Sequence, residues 1–191
     1  MATVNTDNLT IGGCELYFAS GEASPADATM ADPISLGNIV VSEVSPKSTY
    51  VQHYVAIKQK RVVDNEHVNS KGLVISLTFD EISKSNLQLF FQGGTIDGSA
   101  SRMPIMSKSG ITGRAILNFK TDIGTKFMYV VPKCVLKADG GLPLRAEDWV
   151  RGKFTLDVLY HKTYHMHDDN SASFAPYGYL DFTSTNIGSP F

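Results

Sequence analysis

Five residues close together, His161, His165, His167, Asp168 and Asp169, carry imidazole and carboxylate, the ligand types that zinc and iron prefer. On a helix His161 and His165 would share a face. His161 instead closes an alternating, strand-like run, where residues four apart lie ~13 Å from each other at a rise of ~3.3 Å per residue. A common ion would require the segment to fold back, so the cluster reads as a solvated strand end and turn, with no metal or other cofactor expected. Nucleophilic chemistry has as little support. Neither Cys14, Cys134 nor any serine stands in a GxSxG elbow. The two cysteines fit neither a CxxC metal spacing nor a disulfide framework, and read as small core residues. The run Gly93-Gly94-Thr95-Ile96-Asp97-Gly98 follows a helix-like segment instead of joining a strand to a helix N-terminus, so it lacks the geometry of a phosphate loop. Basic side chains gather only at Lys58 to Arg61 (KQKR), and four residues on a hairpin are expected to meet solvent or protein, not nucleic acid. The chain therefore reads as non-enzymatic, with no catalytic residues.

The elements that would position these residues are mostly strands. The 191 residues are 42% hydrophobic, enough for a core, and a single domain over 1–191 is expected. Lys and Arg number 17 against 19 Asp and Glu, a net charge of −2 that gives no electrostatic case for gripping nucleic acid. No run approaches the ~20 apolar residues of a membrane span, and the first residues lack the charged and apolar regions of a secretory leader, so residence in a cytosol is expected.

Residues 1–14 read as an N-terminal arm, Glu15 to Ala19 as a short strand, and Gly21 to Pro33 as a loop. Leu36 to Glu43 and Thr49 to Lys58 are rich in Val, Ile and Tyr and read as two strands separated at Ser45-Pro46. Arg61 to Asp64 can extend a strand, while the polar Asn65 to Lys71 ends at Gly72 and reads as the mobile tip of a long hairpin. Leu73, Ile75, Leu77 and Phe79 then alternate with Val74, Ser76, Thr78 and Asp80, the mark of a half-buried strand. Asp80 is placed to cap a helix over Glu81 to Gln92, with Leu87, Phe90 and Phe91 at i, i+3 and i+4 as its core face. Arg114 to Thr121 and Lys126 to Leu136 form an expected hairpin in which Pro132 marks an edge or a bulge. Lys153 to Tyr164 alternates Phe154, Leu156, Val158 and Tyr160, and residues 163–191 read as an extended tail that orders against a partner.

Several of these segments resemble pieces of the major tail tube proteins of long-tailed bacteriophages. They are the early strand Gly13-Cys14-Glu15-Leu16-Tyr17-Phe18, the strand start Leu36-Gly37-Asn38, and the strand-to-helix run Leu77-Thr78-Phe79-Asp80-Glu81-Ile82-Ser83 with its exit Phe90-Phe91-Gln92-Gly93-Gly94. The closing Glu147-Asp148-Trp149 before Phe154 to Leu159 is similar as well. The resemblance spans roughly residues 13 to 162, and the helix with its Phe-Phe-Gly-Gly exit is its most specific part.

That resemblance implies a mainly β, sandwich- or barrel-like subunit with one flanking helix and long extended connectors. Six copies would form a ring, and rings would stack into a hollow tube around a tape measure protein, capped by tail terminator and distal tail proteins. DNA would later pass through without specific binding, and no membrane is involved. The implied place is the virion tail, assembled in the host bacterial cytoplasm, of a non-contractile, siphophage-type phage. Relatives of this fold also build contractile tubes and type VI secretion tubes, so fold alone does not choose among them. A β-rich virion decoration or receptor-binding module is the rival from another class. On the tube reading Lys58, Lys60, Arg61, Asp64, Glu66 and His67 are the candidate contacts between rings. Glu43 and Asp157 are candidates to face the lumen, because each sits among apolar neighbours in a strand and would be costly to bury without a partner.

Overall fold

Period-two alternation decides which way each strand faces. Ile75, Leu77 and Phe79 are buried while Val74, Ser76 and Thr78 between them are half-buried, and Phe154, Leu156 and Val158 are buried across from them. The computed structural model describes residues 11–21, 33–57, 60–94, 102–108, 110–123, 127–144, 149–164 and 174–182. Its elements are β1 (Ile11–Ser20), β2 (Ile34–Ile57), β3 (Lys60–Phe79), α1 (Lys84–Phe90), β4 (Ile111–Ile123), β5 (Phe127–Ala138), β6 (Gly152–Val158) and β7 (Tyr179–Asp181).

The fold is mainly β and barrel-like. β1 pairs with β2, β2 with β3, β3 with β6, β6 with β5, β5 with β4 and β4 again with β1, all antiparallel, so six strands close on themselves. Closure removes the edges that an open sheet would leave. Leu16, Phe18, Leu36, Ile75, Leu77, Leu117, Leu136, Phe154 and Leu156 fill the interior. β7 adds to β5 at Met128–Val130, on the edge that β6 occupies only from Cys134 onward.

Several expected boundaries move. β1 begins at Ile11, so the last residues of the supposed arm are strand. Pro46 does not divide two strands: β2 runs unbroken through it, paired with Leu73. Beyond Ile39 β2 has no partner on its other edge among the described residues, and a proline is tolerated there. Pro132 does sit in a bulge, where Pro132 and Lys133 oppose the single residue Arg114. The last long strand stops at Val158, which leaves Tyr160 exposed.

The helix starts later than its sequence suggests. Ser83, not Asp80, is the N-cap, its Oγ accepting from the Asn86 N–H at 3.1 Å, whereas the Asp80 carboxylate accepts from Asn38 Nδ2 at 2.8 Å. The buried face is Asn86, Leu89 and Phe90, and Leu87 and Phe91 are only half-buried. Asn86 is fully buried, and its amide donates to the carbonyls of Leu36 (2.9 Å) and Glu81 (2.8 Å), tying α1 to β2. The exit is a Schellman turn in which Gly93 N–H donates to the Gln88 carbonyl and Gln92 N–H to that of Leu89. The residue with positive φ there is Gln92, at 47°, and not a glycine.

Part of the expected tail belongs to the sheet. Gly178, at φ 92°, turns the chain so that Tyr179–Asp181 lies along β5, and a Cβ at that position would fall on the Val130 carbonyl. Tyr129 Oη donates to the Tyr177 carbonyl at 2.7 Å. His161 is not a solvated strand end: it is buried, its N–H donates to the Pro176 carbonyl at 2.8 Å, and its ring packs edge-on against Tyr164.

Cys14 and Cys134 are free and buried, as small core residues. Burial pushes the Cys14 thiol up from 9.0 to about 11, the Cys134 thiol from 9.0 to about 12 and the Tyr129 phenol from 10.0 to about 12. Each folded value lies above the unfolded one, so the unfolded chain releases these protons first. Stability is then intact below about pH 9 and falls as pH rises toward about 12. Urea unfolding at pH 8, 9.5 and 11 is expected to show a loss of up to ~1.4 kcal/mol per pH unit for each cysteine above pH 9, joined by Tyr129 above pH 10. Constant stability over that range would contradict the burial of these groups.

Candidate functional site

β2 and β3 are longer than the barrel that they help to close. β1 leaves β2 at Ile39 and β6 leaves β3 at Leu73, yet β2 and β3 continue together from Lys47↔Gly72 to Ile57↔Lys60. The result is a two-stranded ribbon projecting ~35 Å from the barrel at ~3.3 Å per residue. Every residue of β2 from Lys47 and of β3 up to Lys71 is exposed.

The ribbon corrects the expected hairpin tip. Asn65 to Lys71 lies inside β3, with Asn65 opposite His53 and Lys71 opposite Ser48, and the chain turns between Ile57 and Lys60. A polar run reads as a turn when one face of a strand must be buried; here neither face packs on the barrel, so polar residues suit both. Lys58, one of the candidate contacts, lies outside the described residues.

Alternation assigns the remaining side chains to faces, because both irregularities of register place the extra residue on β3, at Asp64 and at Asn69. One face continues the barrel interior through Val44↔Ile75 and Ser48↔Lys71, and carries Tyr50, Tyr54, Val63 and Val68 with Arg61 and Glu66. The opposite face carries Val51, Val55, Ile57 and Val62 with Lys60, Asp64 and His67. These eight apolar or aromatic side chains are each at least 36% exposed. Monomeric proteins rarely leave so many apolar side chains open on one projecting element, and a two-stranded ribbon alone is marginally stable in water.

The inner face holds a connected row. The Arg61 guanidinium lies 5.6 Å over the Tyr54 ring, Tyr54 Oη donates to Gln52 Oε1 at 2.7 Å, and Gln52 Nε2 donates to Glu66 Oε1 at 3.2 Å. On the outer face Asp64 is engaged by His53, Nδ1 to Oδ1 2.6 Å. The Tyr177 hydroxyl donates to the Lys71 carbonyl at 3.0 Å, which fastens the ribbon's base to the β7 segment.

Glu43 and Asp157 both lie on the outside of the barrel. Glu43 is exposed and accepts from Ser45 Oγ at 2.9 Å, while Asp157, half-buried, is paired with the Lys137 ammonium. A shallow cleft of about 660 Å³ nearby is lined by Val41, Thr78, Asp139, Trp149, Arg151 and Lys153, with Trp149 79% exposed at its rim. Sequence reading passed over it because its walls come from separate segments. His165, His167, Asp168 and Asp169 lie outside the described residues, and among the described residues no three His, Cys, Asp or Glu side chains converge on a possible ion. Among those residues, too, no helix is long and apolar enough to cross a membrane.

No family model and no curated protein matches the chain. Among solved structures, a chain of the cryo-EM structure of the anti-feeding prophage baseplate, 6-fold symmetrised, is similar with a TM-score of 0.42 and 9% sequence identity, over 82% of this chain and 92% of that one.

Proposed function

We propose that this chain is a structural, non-catalytic subunit of a phage-type tail tube, in which hexameric rings of copies stack into a hollow conduit. What carries the reading is the ribbon: a closed barrel needs no partner, but a projecting ribbon with four exposed apolar side chains on each face does. The sequence resemblance supplies the kind of assembly. On this reading the tube encloses a tape measure protein, joins tail terminator and distal tail proteins at its ends, and later passes DNA without specific binding. It is built in the host cytoplasm and resides in the virion tail, of the non-contractile, siphophage type. Negative-stain electron microscopy of the concentrated, purified protein tests it: rings or tubes are expected, and a protein that stays monomeric at every concentration rules the reading out.

A decoration or receptor-binding module is the second reading, favoured by the exposed Trp149 beside its cleft. Such a module would remain a small closed oligomer.

The conduit role sets the charge of the inner wall. Each phosphate contact to a basic group adds affinity and salt dependence, so rings of lysine or arginine would hold DNA instead of passing it. Glu43 and the Asp157–Lys137 pair are the candidate lumen groups on this reading, one acidic and one neutral as a pair. A high-resolution map of assembled tubes is expected to show an acidic or neutral wall. Excess Lys and Arg there would reject the electrostatic account.

A further inference from the structure

We infer that the ribbon tip of one copy docks on the far end of another copy's barrel, where Lys60 meets Glu81 and Val55, Ile57 and Val62 cover Val40 and Ile82. This rests on the tube reading above and names the surface that receives the ribbon. The two surfaces lie at opposite ends of one strand pair. The ribbon leaves the barrel at Lys47↔Gly72, whereas β3 ends at Phe79, ~23 Å the other way at ~3.3 Å per residue. There the chain turns into Asp80-Glu81-Ile82 beside the bulge that Val40 makes in β2, and the Asp80 N–H donates to the Asn38 carbonyl at 3.4 Å. Val40, Glu81 and Ile82 are all exposed.

Each end offers what the other lacks. The tip carries the cations Lys60 and Arg61, and the acid nearest to them, Asp64, is engaged by His53. Arg61 lies over Tyr54, but the Lys60 ammonium, on the outer face with Val55, Ile57 and Val62, has no hydrogen-bond or ion-pair partner among the described residues. The Glu81 carboxylate has none among them either, and Lys84 one turn on does not pair with it. That carboxylate lies against Gly37, on the β2 side of β3, where a Cβ would overlap it. The cleft's Lys153 is on β6, two strands from β2 and ~10 Å away at ~4.8 Å per strand. The occupant is a second copy because both halves of the match, opposite charges and apolar side chains, belong to this chain. Each copy has one tip and one receiving end, so filling one leaves the other open. The contact is heterologous and repeats from ring to ring along a stack.

The test uses the full chain with charge reversals, read by sedimentation and electron microscopy under conditions in which the wild type forms tubes. Lys60→Glu places acid against acid and Glu81→Lys places base against base. Each single variant is expected to melt like wild type, since both positions are exposed, and to need at least ~10-fold more protein to form tubes. The double variant K60E/E81K restores opposite charges and is expected to form tubes like wild type. Tubes at the wild-type concentration from either single variant overturn the inference. So does a double variant that melts like wild type yet makes no tubes. A wild type that forms no tubes at any concentration defeats instead the tube reading on which the inference rests.

Discussion

Excising Thr49 to Ser70 and joining Ser48 to Lys71 through a two-residue Asn-Gly turn is expected to yield a folded monomer that forms neither rings nor tubes. Ser48 and Lys71 are directly opposite in the ladder, and Asn-Gly supplies the positive φ values that a two-residue hairpin requires. Every described residue removed is exposed, and every buried core residue remains. The Tyr177 hydroxyl bond to the Lys71 carbonyl also stays. The melting temperature should therefore move by only a few degrees, ~1 kcal/mol or less for a chain of this size. Solubility should improve, since two open ribbon edges and eight exposed apolar side chains are gone. Light scattering should report one copy at concentrations where the full chain assembles. Tubes of ordinary length from this variant would show that the ribbon is not the connector.

The design of that deletion shows what the sequence exposed and what it hid. The strands whose one face is buried were legible, because Leu73 to Phe79 and Phe154 to Val158 alternate against a single core. The ribbon was legible as a hairpin but not in its extent. Asn65 to Lys71 looks like a tip only if a strand is assumed to need a core, and the actual turn after Ile57 carries no glycine or asparagine signal. Pro46 looked like a boundary because an unpaired strand edge leaves no mark in sequence. Asn86 concealed the helix's buried face: a polar residue in the stripe shifted the pattern by one position, and only its bonds to Leu36 and Glu81 explain its burial. Barrel closure through β1–β4 and β5–β6 joins segments far apart in the chain, which periodicity does not address.

Phe154→Ala is expected to be among the most destabilising single substitutions in the barrel, and Phe90→Ala to approach it. Phe154 and Phe79 are both fully buried and stacked, with ring centroids 4.7 Å apart and planes at 17°. Phe90 closes the group from α1, edge-on to Phe79 at 6.2 Å and to Phe154 at 5.8 Å. Removing any of these rings loses its burial and leaves a cavity that β-strands fixed by their ladders cannot collapse to fill, a cost of ~3–5 kcal/mol. For a chain of this length that corresponds to a melting temperature lower by ~6–20 °C. The absence of slack can be read at Gly152, where a Cβ would sit 2.3 Å from the Phe79 ring. Phe91 provides the control, since it is half-buried at the edge of the same cluster and its replacement by alanine should cost clearly less. Thermal melts of the three variants, scored beside their assembly, separate two roles for the helix. If Phe90→Ala melts like wild type and fails only in assembly, its ring serves a neighbouring copy and the packing account of α1 is wrong.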